Sequence, residues 1–392
     1  MRRNSACRDS QQVQSLVESV NQFALWLFEQ VSNDRPKSNL VFSPSSIASV
    51  LAMARLGASG KTRECFDFVL EHKLSEVELG EAYRVLMDEI AASSSDLCIA
   101  NRVWGDARFG YHDKFQADLL DLFHADLERV DFANESESAV GKINAWVRKQ
   151  TDHRIDRIVD SGSISSATTM LLTNAVSFNG SWLLPFDRKE TKTRPFHLSD
   201  GTTTSVKMMS QREHLGIAGT ADYMVLQLPY RDTSQVEQAD GQPRCRFVMQ
   251  IVLPRHPSFT LDRAMDWVVA GGINELQFSY ASEVKVSLPR FRIENTLSLE
   301  SALKTLGLSL AMDPARADYS NMCEQETGMS LSKLTQRAMV EVDEEGTVAS
   351  AATGAWLTVG RSATFCVDRP FLFQIIDRQT KLIHFLGRCE RP

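Results

Sequence analysis

The chain has 392 residues, 43% hydrophobic and 24% charged, with a formal net charge of -7 at pH 7. That acidic excess argues against nucleic acid as a general partner, and no Lys/Arg-dense block offsets it. No run reaches the roughly 18 apolar residues that span a bilayer, and the polar start MRRNSACRDSQQ lacks the apolar core of a leader, so neither a membrane partner nor a cleavable leader is expected. The expected location is then the cytoplasm, or the extracellular space by leaderless secretion or after trimming of a leader. Cys7, Cys65, Cys98, Cys245, Cys323, Cys366 and Cys389 are odd in number and scattered, which fits thiols better than a disulfide framework or a metal site.

Leu16, Val20, Phe23, Ala24, Leu27 and Phe28 recur at helical spacing and predict an amphipathic helix, preceded by a disordered segment over residues 1–12. In NLVFSPSSIASVLAMARLGASGKT, Ser43 is placed to cap a second helix, Pro44 to open it, and Gly57 or Gly60 to end it. The Gly60-Lys61-Thr62 tail resembles a phosphate-binding loop, but the glycine required five residues earlier is Arg55, inside that helix. A helical pattern from Leu79 to Ile90 gives way to a β-like run from Leu97 to Trp104. Val140, Ile143, Trp146 and Val147 then predict a helix lying across a surface. Thr168 to Phe178 is almost continuously apolar, as in a strand covered on both faces, with Asn174 the polar exception.

Strands follow at Val206–Ser210, Met224–Pro229, Phe247–Leu253 and Val284–Leu288, and a helix at Leu299, Leu303 and Leu306. A strand from Lys333 to Val342 leads into Glu344–Arg361, EEGTVASAATGAWLTVGR. Between Gly346 and Gly360 this stretch has no charge and no proline, yet it ends in Arg361-Ser362, a bond suited to a trypsin-like protease. Two β-runs around a turn at Asp377–Thr380 close the chain. Helices and strands mix without βαβ alternation or a linker, so the fold class is α+β in a single domain, 1–392. Enzyme signatures are missing: there is no G-x-S-x-G elbow, no H-E-x-x-H and no complete P-loop, and no cofactor or metal is expected. Asn134-Glu-Ser and Asn179-Gly-Ser match the glycosylation triplet.

NLVFSPSSI with LGASGKT, IANRVWG, INAWVRKQT, TNAVSFNGSW, LPRF, VEVDEEGT and RPFLFQIIDRQTKLIHFLGR occur here in the order in which they stand in serpins, and the chain resembles that family over nearly its whole length. The resemblance implies three β-sheets with eight to nine helices and an exposed reactive-centre loop, here residues 344–363. It also implies a monomeric inhibitor whose partner is a serine protease. The protease attacks the loop and forms an acyl-enzyme; the freed arm then inserts as a new strand in the central sheet, and the covalent complex is trapped.

Specific residues carry over. The loop's hinge is Glu344, Glu345, Gly346, Thr347, Val348, Ala349, Ser350, Ala351 and Ala352. On insertion, Thr347, Ala349, Ala351, Thr353, Ala355, Leu357 and Val359 would share the inward face, and none is charged or large. Val348 stands where inhibitory members usually carry Glu, but on the outward face. The reactive bond is Arg361-Ser362 by chemistry. Family spacing counted from Glu344 points one residue earlier, to Gly360 or Val359, which would suit an elastase-like protease. Ser43, Ser46 and Asn174 match the polar cluster where the central sheet parts, with Gln336 in place of the family's histidine. Trp182, Arg290 and Glu344 match the top of the sheet, where Arg290 and Glu344 are expected to form a part-exposed ion pair worth at most about 1 kcal/mol. The alternative function is a non-inhibitory serpin that acts as a binding protein or chaperone.

Overall fold

The computed structural model describes residues 11–92, 97–232, 245–256, 260–324, 328–346 and 363–392. Helix α1 (Gln11–Asp34) buries the predicted stripe of Leu16, Val20, Phe23, Ala24, Leu27 and Phe28. It already includes Gln11 and Gln12, the last two residues of the segment 1–12 expected to be disordered. Val13, in the first turn of the helix, is 3% exposed, so the buried stripe begins before Leu16. After β1 (Leu40–Phe42), Pro44 opens α2 (Pro44–Gly57), a helix buried on almost every side. Gly60, at φ 46°, then starts α3 (Gly60–Val69). The Gly-Ala-Ser-Gly-Lys-Thr stretch is therefore a tight junction between helices, one that a left-handed glycine makes possible.

Helix α4 (Glu76–Ala92), β2 (Leu97–Asp106), α5 (Asp113–Phe123), β3 (Leu127–Val130), α6 (Ser136–Gln150) and β4 (Met170–Phe178) follow. The apolar face of α6 places Val140, Ile143 and Val147 in one cluster with Trp104, Phe132, Ile155, Leu171 and Ala175. Trp104 sits in this cluster without a desolvation penalty because its Nε1 donates to Thr173 Oγ1 at 2.9 Å. Every residue of β4 is buried, as its unbroken apolar run predicts.

The chain continues through β5 (Lys192–His197), β6 (Thr203–Glu213), β7 (Gly216–Gly219), β8 (Tyr223–Pro229), β9 (Phe247–Pro254), α7 (Leu261–Val269), β10 (Val284–Pro289) and β11 (Phe291–Ser298). The helix expected over Leu299 to Leu306 is only one short turn, α8 (Glu300–Leu303), running into a π-turn over Lys304–Leu308. Gly307, at φ 129°, breaks the helical path there. Strand β12 (Leu331–Val342) leads toward the interval 347–362, outside the described residues, and β13 (Ala363–Cys366), β14 (Phe371–Asp377) and β15 (Ile383–Cys389) complete the chain.

The strands form three sheets: a six-stranded sheet β1-β15-β14-β9-β8-β7, a four-stranded sheet β13-β10-β6-β5, and a five-stranded sheet β11-β12-β4-β2-β3. With eight α-helices among the described residues, this is the α+β architecture expected. The turn between β14 and β15 is built around Asp377, whose Oδ1 accepts from Gln379 N at 2.7 Å while Oδ2 meets Arg246 Nε at 2.7 Å.

The chain divides into two compact units. One comprises Met1–Val31, Phe42–Ser177 and Asn295–Ala338; the other comprises Ser32–Val41, Phe178–Glu294 and Met339–Pro392. No helix of the described residues is long and apolar enough to cross a membrane.

Candidate functional site

The first unit contains the polar cluster built from neighbouring strands and the start of α2. Asn174 on β4 and Gln336 on β12 are both fully buried, and the Gln336 amide donates to Asn174 Oδ1. The Asn174 amide donates in turn to Ser46 Oγ and Asn101 Oδ1. Gln336 also clamps the backbone of Ser43: its Oε1 accepts from Ser43 N at 2.8 Å and its Nε2 donates to Ser43 O at 2.9 Å. The structure thus brings together Ser43, Ser46, Asn174 and Gln336. It adds Asn101, which no sequence signal marked because it is 73 residues from Asn174. Ser43 differs from expectation in one respect: it is the N-cap residue of α2, but its side chain makes no cap hydrogen bond. Gln336 fixes the Ser43 backbone instead, so the helix start is positioned across a sheet strand rather than by its own hydroxyl.

Every side chain in this cluster is a neutral amide or hydroxyl. Gln336 donates and accepts in the same geometry at any pH between the carboxylate and lysine ranges, whereas an imidazole would gain a charge near pH 6.5.

The second unit contains the base of the loop. Trp182 is 2% exposed, stacks on Tyr230 with ring centroids 4.3 Å apart, and donates its Nε1 to Asp343 O at 2.9 Å. The backbone is tied by Trp182 N to Glu345 O at 2.9 Å and Phe186 N to Glu344 O at 2.8 Å. Glu344 Oε1 accepts from Arg290 Nε at 2.9 Å and lies 2.7 Å from Arg290 Nη2; Thr191 Oγ1 donates to the same oxygen. The expected Arg290–Glu344 pair is therefore present and part-exposed, with its exposure confined to one partner. The carboxylate is 1% exposed and only the guanidinium, at 45%, reaches solvent. Burial pushes the Glu344 carboxyl up, but the hydrogen bonds from Arg290 and Thr191 outweigh it and hold the group below the ordinary carboxylate range. Glu345 pairs with Arg188 at 2.6 Å, a partner the sequence did not reveal.

Gly346 is the last described residue before the interval and has φ 115°. A Cβ there would lie 2.4 Å from Gly180 O and 2.5 Å from Trp182 N, both backbone atoms that cannot swing aside. The chain can pass this close only without a side chain. Residues 347–362 lie outside the described residues, and with them Thr347, Val348, Ala349, Ser350, Ala351, Ala352, Val359, Gly360, Arg361 and Ser362. The chain resumes at Ala363, where β13 runs parallel to β10 with Val284 opposite Ala363. The interval thus leaves the end of one strand in the five-stranded sheet and re-enters in the four-stranded sheet.

Among the described residues, no group of three or more His, Cys, Asp or Glu side chains is arranged to hold a metal ion.

Comparison with known proteins agrees with this architecture. The family model described as Serpin (serine protease inhibitor) matches residues 18–392. Leukocyte elastase inhibitor A of Mus musculus is 33% identical over 94% of this chain and 97% of its own length. Serpin B9 of Homo sapiens is 30% identical over 97% of this chain and 100% of its own. Among solved structures, Serpin48 of the insect Tenebrio molitor, titled a highly specific serpin, superposes with a TM-score of 0.83 at 27% identity, covering 97% of this chain and 98% of that one. A family match over nearly the full length, on a chain whose three sheets and buried polar clusters have just been described, leads to one conclusion: this protein belongs to the serpins, the serine protease inhibitors, and is not itself an enzyme.

Proposed function

We propose that this serpin is a suicide substrate for trypsin-like serine proteases. It is cut after Arg361 and traps the acyl-enzyme by inserting the freed arm, Gly346 to Arg361, between β12 and β4. The observation that carries the reading is the connection itself. An uncharged, proline-free segment ending in Arg361-Ser362 joins strands of two different sheets, and β12 and β4 are direct neighbours in the five-stranded one. Fifteen residues from Gly346 to Gly360 extend about 50 Å, enough to run the length of a strand and beyond. In the same proposal, Glu344 to Ala352 act as the hinge. The Ser43, Ser46, Asn174 and Gln336 cluster joins the two strands that must separate, and Trp182, Arg290 and Glu344 hold the point where insertion begins.

A second reading has specific support. The relatives named leukocyte elastase inhibitor, and the spacing counted from Glu344, favour cutting at Val359 or Gly360 by an elastase-like enzyme. Incubation with trypsin and with elastase, followed by denaturing electrophoresis and N-terminal sequencing of the released fragment, separates the two. A stable complex with trypsin and a fragment starting at Ser362 is expected. A complex with elastase alone, and a fragment starting at Gly360 or Arg361, would overturn the trypsin-like reading. Cleavage by both enzymes with no complex would mark a non-inhibitory binding protein.

A further inference from the structure

The four-stranded sheet is basic in an acidic molecule. Among its described strand residues, Lys192, Arg194, Lys207, Arg212 and Lys285 are cationic and only Glu213 is anionic, in a chain of net charge -7. The strand register sharpens the pattern. Arg212 on β6 stands directly opposite Lys285 on β10, and Lys285 directly opposite Thr364 on β13. Residues opposite one another in a sheet share a face, so Arg212, Lys285 and Thr364 form one row, and all three are exposed. Alternation along β6 puts Glu213 on the other face. Like charges directly opposite oppose strand pairing. Arg212 finds partial relief in Glu283 at 3.8 Å, whereas among the described residues no carboxylate lies within ion-pair distance of Lys285. The fold gains nothing from this pair.

Its position gives it a use. Three peptide units separate Arg361 from Thr364, so the bond cut in the proposed reaction is tethered within about 11 Å of this row. A protease seated on Arg361-Ser362 must therefore lay the rim of its cleft that receives residues after the cut bond over Thr364, Lys285 and Arg212. We infer that this row is a docking surface for a trypsin-like protease that carries aspartates or glutamates on that rim. The overall negative charge disfavours approach of such an enzyme, and the local positive row orients it onto the loop. The inference rests on the reading that Arg361-Ser362 is the cut bond.

Anionic and cationic trypsins share the arginine-binding pocket and differ in surface charge, so they isolate the effect. Second-order trapping rates should be measured for both enzymes at low and high salt, with the wild-type chain and with the Arg212→Glu/Lys285→Glu double variant. Charge reversal is expected to slow trapping of anionic trypsin by about tenfold at low salt, with the deficit shrinking at high salt. Cationic trypsin should be unaffected or faster. The Arg212→Gln/Lys285→Gln variant, which relieves the repulsion between strands, should unfold no earlier than wild type and give an intermediate rate; this separates docking from misfolding. Equal rates for all three proteins with both enzymes would overturn the inference. So would a double variant that lost only heparin binding at unchanged rates, since the row would then be a polyanion site. Equilibrium binding of anionic trypsin with its nucleophilic serine changed to alanine needs no cleavage. If that binding falls on charge reversal while wild type forms no stable complex with active trypsin, the trapping reading fails and the docking surface stands.

Discussion

Glu344 shows how much one carboxylate can hold at the base of the loop. It is buried against Arg290 and Thr191, and its backbone carbonyl accepts from Phe186. Glu344→Lys would put an ammonium beside Arg290 in a site built for an anion. Loss of a buried partner typically costs 3–5 kcal/mol, and the half-exposed Arg290 places the expected loss near the lower end, about 3 kcal/mol. Urea unfolding should report that loss, and native electrophoresis should show polymers as the loop base comes free. Unchanged stability with no polymers would exclude the anchoring role. The same site sets an acid response. Because the folded pKa is depressed, the pair contributes its full stability above the unfolded value of 4.5 and loses it as pH falls through the lower folded value.

At the scale of elements, β12 and β4 are joined through an amide network. Asn174→Ala would remove the amide that donates to Ser46 and Asn101 and accepts from Gln336, leaving Ser46 and Asn101 only each other and Gln336 only the Ser43 backbone in this cluster, a cost of about 1–3 kcal/mol measurable by denaturant unfolding. Gln336→His should make the rate of trapping depend on pH around neutrality, where the wild type is flat. A flat profile in the variant would disconnect this position from strand separation. The elements themselves were largely legible in the sequence. The stripe of α1, the Pro44 start of α2 and the unbroken apolar run of β4 each follow from a local pattern that burial then satisfies. What was not legible is long-range. Thr191 is 153 residues from Glu344, and Asn101 is 73 from Asn174, so no local spacing announces either contact. Ser43 misled for a related reason: its residue type signals a cap, but Gln336, 293 residues away, takes over the backbone. The π-turn at Gly307 was missed because Leu299, Leu303 and Leu306 keep helical spacing up to the glycine that ends it.

For the molecule as a whole, buried histidine sets a second pH dependence. His384 on β15 is 1% exposed, and burial, assisted by Arg246 and opposed by Asp377, lowers its pKa to about 4. The folded protein therefore binds this proton more weakly than the unfolded chain does. Stability is full above the unfolded value of 6.5 and declines as pH falls from there toward about 4. Urea midpoints at about pH 7.5, 5.5 and 4.5 should fall in that order, and His384→Asn should flatten the decline above the Glu344 range. An unchanged slope in the variant would assign the effect to other groups.

The position of β13, β14 and β15 has a consequence for what a cut after Arg361 produces. The piece from Ser362 to Pro392 carries three strands, one paired with β10 and another held between β9 and β15. Phe371, Phe373 and Phe385 on that piece are at most 1% exposed. Hydrolysis would break one covalent bond and leave these strand pairings and buried rings in place. Cutting would therefore be a nick and not a dissociation. By size-exclusion chromatography the cleaved inhibitor would be indistinguishable from the intact one, and in native mass spectrometry it would be heavier by one water; only a denaturant would reveal two chains.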